Sequence, residues 1–186
     1  MSNDKNVGME YLRVVISRFN ALKANAERAL EQLQSDHIHW SLNEESNSIA
    51  VIVQHMSGNM VSRWTDFLNS DGEKPNRNRD DEFVDSIQSM EELLQTWNRG
   101  WRVFLDALQA LTGADLLKIV HIRNEPHTVM EAIERQMSHY SYYVGQIVFI
   151  AKQLKSDAWN TLSIPREAPP YQGLTGYSVL TNKTLS

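Results

Sequence analysis

The chain has 186 residues, enough for one domain with a sizeable core, and its net charge of −5 leaves no footprint for nucleic acid or an anionic membrane. Cysteine is absent, which excludes disulfides, thiolate metal sites and a cysteine nucleophile. The opening residues MSNDKNVGMEYLRVV lack the basic start and apolar run of a signal peptide, and no apolar stretch approaches the roughly 20 residues that span a bilayer, so a cytoplasmic domain is expected.

The first predicted element runs over residues 6–34, where Leu12, Val15, Ile16, Phe19, Leu22, Ala26, Leu30 and Leu33 recur at helical spacing. A second helix, 47–69, follows the cap-like run Glu45-Ser46-Asn47-Ser48 and carries Ile49, Ile52, Val53, Met56, Met60, Trp64 and Phe67 on one face. The stretch SDGEKPNRNRDDE, 70–82, reads as a long exposed crossover whose mixed charges belong to a solvated loop. A third helix spans 89–112, opened by a capping box of Ser89 with Glu92. Residues 119–123 alternate briefly, which predicts a short extended piece before Pro126. A fourth helix, 128–155, starts at a box of Thr128 with Glu131. All five prolines fall between these periodic segments, as helices demand. The fold class expected is all-α, a four-helix bundle. After Asp157 the periodicity fades, and the tail is expected to wrap the bundle through Trp159, Ile164 or Tyr171, or to fray at its end.

The fourth helix bears two rows. One is apolar: Met130, Ile133, Met137, Tyr140, Val144, Ile147, Val148, Ala151 and Leu154. The other is narrow and polar: Gln136, His139, Tyr143 and Gln146, each three or four residues from the last. A polar row at the margin of a core must find partners or a ligand. On the second helix His55 lies beside Ile52 and Asn59, near the seam. Two histidines on facing helices plus a third donor make an open metal site, but a histidine at a seam is more often a hydrogen-bonded core residue. His37, His39, His121 and His127 occupy connections and are weaker candidates. Trp64, Trp97 and Trp101 read as packing residues. Gly145, inside a helix, costs about 1 kcal/mol relative to alanine, which close approach of another helix, from this chain or a second subunit, would offset.

On three blocks, NSIAVIVQHMSGNMVSRWTDFLNSDGEKPNRNRD, EPHTVMEAIERQMSHYSYYVGQIVFIAKQL and LSIPRE, the chain resembles the DinB/YfiT-like superfamily, and within it an uncharacterised bacterial branch. The resemblance runs from the first helix to about Glu167. It implies an up-down-down-up bundle over residues 1–167, with a tail, 168–186, packed on it or partly flexible. It also implies a homodimer and a divalent metal, nickel or zinc, held by one histidine of the second helix and two of the fourth. Some relatives are similar to thiol S-transferases that join bacillithiol or mycothiol to electrophiles, so a low-molecular-weight thiol and a small electrophile are the implied reactants.

Carried onto this chain, the ligand positions fall on His55, His139 and Tyr143. In the pattern H-x-x-x-H-V-G-Q, Tyr143 stands where the resemblance implies the last histidine. A phenol, with a pKa of about 10, binds a metal well only when ionised, and ionising it near neutral pH takes about 4 kcal/mol from the metal's field. Any metal should therefore be held more weakly than by three histidines and lost more readily in acid. Three functions stand open: a metal-binding bundle protein with a degenerate His/His/Tyr site, a metal-dependent thiol S-transferase or related hydrolase with no assigned general base, and a metal-free structural or stress-response dimer.

Overall fold

The computed structural model describes residues 2–165, with side chains from Val7 onward. It is predominantly helical. Four long helices, α1 (Ser2–Leu30), α2 (Ile49–Trp64), α3 (Met90–Gln109) and α4 (Val129–Lys155), are joined by loops, short 3₁₀ turns and one hairpin of β1 (Ile119–Ile122) and β2 (Glu125–Thr128). Local chemistry explains the ends. Ser48 caps α2 by accepting from the Val51 N–H, and the helix stops where Thr65 turns extended and Asp66 takes a positive φ of 49°. Phe67 is thus buried from a turn rather than from the expected helical continuation to residue 69. Thr128 and Glu131 form the reciprocal box at the start of α4. At α3 only half the expected box forms: Ser89 accepts from the Glu92 N–H, but the Glu92 carboxylate accepts from the N–H of Gln88.

The short extended piece is one arm of a hairpin whose second arm the sequence reading missed. Ile119 pairs with Thr128 and Ile122 with Glu125, antiparallel, so Pro126 lies inside a strand. A two-stranded ribbon has only edges, where proline is tolerated. Its turn residues, Arg123 and Asn124, both have positive φ, at 57° and 63°, as a tight two-residue hairpin turn requires.

Each helix sends aromatic rings to one buried centre. Phe19 of α1 meets Phe104 of α3 edge-on at 4.5 Å between centroids, Phe104 meets Tyr140 of α4 at 5.2 Å, and Trp64 of α2 meets Phe104 at 4.8 Å. The Tyr140 hydroxyl donates to Asn59 Oδ1 at 3.1 Å and accepts from Trp64 Nε1 at 3.3 Å. These bonds set the rotation of α4 about its axis, and so aim the residues next to Tyr140. Helix α2 packs chiefly on α3, and α1 on α4. Trp97 and Trp101 are core residues, as expected.

Two expectations hold only in part. Gly145 does not receive another helix from the described part of this chain, because a Cβ there would meet nothing within 4 Å. Of the tail anchors, Trp159 packs against the core while Ile164 is exposed. Tyr171 and the tail 168–186 lie outside the described residues. No helix among the described residues is long and apolar enough to cross a membrane.

Candidate functional site

His55, His139 and Tyr143 come together between α2 and α4. The ring centroids of His55 and His139 lie 5.6 Å apart, and each stands 5.0 Å from the Tyr143 ring. Helical spacing stacks His139 and Tyr143 one turn apart, and the Tyr140 bonds turn both toward α2. His55 sits in the middle of α2 and is buried.

Its orientation comes from the crossover. A 3₁₀ turn, Asp80–Phe83, brings Glu82 back onto α2, where Glu82 Oε2 lies 2.9 Å from His55 Nδ1. Arg77 grips the same carboxylate with both arms, Nε to Oε1 and Nη2 to Oε2, each at 2.7 Å. Burial opposes ionisation of Glu82, but the bonds from Arg77 and then His55 outweigh it and hold the carboxyl below its ordinary range. An ionised carboxylate only accepts, so His55 Nδ1 carries the hydrogen that faces Glu82, which leaves Nε2 as the nitrogen for any further ligand. Phe83 covers the His55 ring at 4.6 Å.

The stretch 70–82 is therefore not the solvated loop that its charges suggested. Gly72, Arg77 and Glu82 are well packed, and the Asp71 carboxylate ties the loop to the hairpin by accepting from the backbone N–H groups of Glu73, Arg123 and Asn124 at 2.7, 2.9 and 2.8 Å. Gly72 is needed where the crossover passes over Arg63, because a Cβ there would fall 2.8 Å from Arg63 Cδ.

His139 has no such partner. Its Nδ1 is buried and makes no hydrogen bond among the described residues, and burial, followed by the positive surroundings of His55, Arg63, Arg135 and Arg77, pushes its pKa down to about 4. The ring is neutral at pH 7, with its buried Nδ1 unpartnered among the described residues. Burial, aided by Tyr142, raises the Tyr143 phenol above its ordinary value. The two imidazoles thus fit a divalent ion, one held by a carboxylate as metal-binding histidines commonly are and one bare, while the phenol is a poor third donor. Among the described residues no three histidine, aspartate or glutamate side chains stand where they would hold a metal.

Beside the rings opens a cleft of about 450 Å³, lined by them and by Arg63, Arg77, Arg79, Arg123, Arg135 and Gln136. None of these arginines was singled out from the sequence. Arg135 sits beside Gln136 and four residues before His139 in the polar row, and Arg63 lies two turns beyond His55 on α2, which is the signal that was there. The weaker histidine candidates lie elsewhere: His39 pairs with Asp85 at 2.9 Å, His37 Nδ1 accepts from the Gln34 N–H, and His121 and His127 belong to the hairpin.

A family model described as "Protein of unknown function (DUF1572)" matches residues 6–168, which is most of the chain. Neither a curated protein nor a solved structure matches.

Proposed function

From the premise that this chain belongs to the DUF1572 family, whose description assigns no activity, we propose that it is a divalent-metal-binding bundle protein of DinB/YfiT-like type, with His55 and His139 as ligands and Tyr143 as a reluctant third donor. The observation that carries this reading is the pairing of unlike imidazoles in one pocket: His55 held by Glu82, and His139 with a bare buried nitrogen. The contacts between helices support the up-down-down-up order. Tyr11 meets Glu134 and Phe19 meets Tyr140, so α1 and α4 run the same way. Ser57 adjoins Gly100 and Trp64 meets Phe104, so α2 and α3 do too. His55 neighbours Tyr143 while Asn59 bonds Tyr140, so α2 opposes α4.

Nickel or zinc bound there would supply a Lewis acid able to activate a thiol or water. The chain's own part is to orient: Glu82 holds His55, Tyr140 holds the face of α4, and Phe83 shields the His55 ring. Thiol transfer would need a base that no side chain here is assigned. The implied homodimer finds support in Leu42, Tyr142 and Phe149, large exposed side chains around a groove that Gly145 lines. Sedimentation of the full chain at micromolar concentration checks it, and a monomer there would count against it.

A second, metal-free reading is favoured by one observation, the arginines whose field opposes a cation. Titration calorimetry with nickel and zinc separates the two. Stoichiometric binding by the native chain, weakened in Tyr143→Phe and strengthened in Tyr143→His, supports the first. Binding by Tyr143→His alone would mark a centre that has been dismantled.

A further inference from the structure

We infer that the arginine-lined cleft binds a small molecule through an oxyanion head, carboxylate or phosphate, seated on Arg63 and Arg135. Five guanidinium groups line this cleft. The ion pairs of these arginines reach two carboxylates: Glu73 serves Arg77, Arg123 and, distantly, Arg63, while Glu82 serves Arg77. Among the described residues three positive charges are left over, in a chain whose net charge is −5. An excess of one sign, against the sign of the whole protein, marks a place built to concentrate the opposite charge.

Arg63 makes the case specific. Its side chain is only 4% exposed, its nearest carboxylate oxygen is 3.8 Å away, and its Nε and Nη1 have no hydrogen-bond partner. A buried cation whose ion pair is this long is costly for a fold to carry. Its planar fork, with Nε and Nη1 lacking hydrogen-bond partners among the described residues, suits the paired oxygens of a carboxylate or phosphate. Arg135, on the exposed side of α4, has no ion pair among the described residues and supplies a second arm. Gln136, 2% exposed, also lines the cleft with an unpartnered Oε1. That acceptor calls for a donor on the ligand, such as a hydroxyl, and so for a molecule larger than a bare ion. The volume suits a small organic molecule. A long polyanion would meet the acidic remainder of the surface. None of this depends on a metal.

The test uses the full chain, freed of metal on a chelating resin, so that its result stands apart from the metal reading. Calorimetric titration with pyrophosphate and, separately, with citrate, at constant ionic strength in chloride, should give saturable binding of at least one. Phosphate alone or carboxylate alone would name the head group. Arg135→Gln, at the exposed rim, should weaken that binding about tenfold or more, while Arg102→Gln, on α3 away from the cleft, should change it less than about twofold. Arg63→Met removes the buried charge and keeps the stem's packing, so affinity should be lost while the melting temperature holds or rises. The proposal is overturned if neither ligand binds at millimolar concentration, if Arg135→Gln and Arg102→Gln weaken binding alike, or if Arg63→Met binds as the native chain does. Should Arg63→Met fail to fold, the comparison at Arg135 decides alone.

Discussion

Gly58 leaves the space that the Glu82 carboxylate occupies: a Cβ at position 58 would fall 2.3 Å from Glu82 Oε1. The glycine lies one turn from His55 on the same helix, so the carboxylate that orients the imidazole reaches it over a missing side chain. Gly58→Ala should push the carboxylate aside, since the end of a side chain yields before a helix does. Helix propensity gains about 1 kcal/mol, so the fold should survive. Nitrogen NMR of the histidines should then show the His55 Nδ1 signal move as its hydrogen bond to Glu82 is lost. An unchanged His55 signal would mean that Glu82 does not set its orientation.

Gly100 presents a harder case. A Cβ there would stand 2.8 Å from Ser57 Cα, which is backbone and cannot swing away. Gly100→Ala should separate α2 from α3 at a cost of about 1–3 kcal/mol, only partly offset by propensity. The midpoint of urea unfolding should fall. A midpoint equal to the native one would show that these helices are not pressed together here.

His139 predicts a pH dependence. Its folded pKa is about 4 against an ordinary 6.5, so as pH falls below 6.5 the unfolded chain takes up this proton first. Stability from this group is level above 6.5 and declines from there down to about 4. The carboxylates held low, Glu82 and Asp71, give up stability only below their unfolded values of 4.5 and 3.8, so the window between 4.5 and 6.5 reports chiefly on histidine. The melting temperature of the native chain should drop across that window more steeply than that of His139→Gln. Parallel curves would refute the shift. The same shift revises the expected acid sensitivity of a bound metal, because His139 does not compete for protons until pH is near 4.

The arginine cleft and the imidazoles should also communicate. A cation entering beside three surplus positive charges is repelled, and an anion on Arg63 and Arg135 would relieve that repulsion. Sulfate, a weak chelator, should therefore raise nickel affinity relative to chloride at equal ionic strength, and by reciprocity nickel should raise sulfate affinity by the same factor. Arg135→Gln should shrink the effect. No difference between sulfate and chloride would show that the two sites are independent.

Helical period made much of this molecule legible. The four helices, the seams of α1 and α2, and the row Gln136–His139–Tyr143 all repeat at a spacing that a reader of the chain can count. Glu82 and Arg77 were illegible for the opposite reason. They sit in a connection, where no period applies, and their meeting with His55 depends on how far the crossover folds back, which composition does not reveal. Their charges looked solvated because nothing in a linear reading says that the hairpin will clamp the loop. The second strand was hidden by Pro126, which argues against a strand wherever a neighbour exists on both sides. Gly145 was legible only in part, because a helical glycine records that room is kept without saying what uses it.

The Asp71 clasp divides the crossover into two parts with opposite tolerance of length. Pro75 and Asn76 are exposed and lie beyond the clasp, so extra residues inserted between them can bulge outward at small entropic cost. Between Arg77 and Glu82 the spacing is a measured distance, since one side chain must grip the other while that one grips His55. A single residue added there would throw the grip out of step, and thermal melts of the two insertion variants should separate accordingly. Loop exchange among homologous chains thus has one permissive seam, at the tip, and one segment that must travel whole with α2.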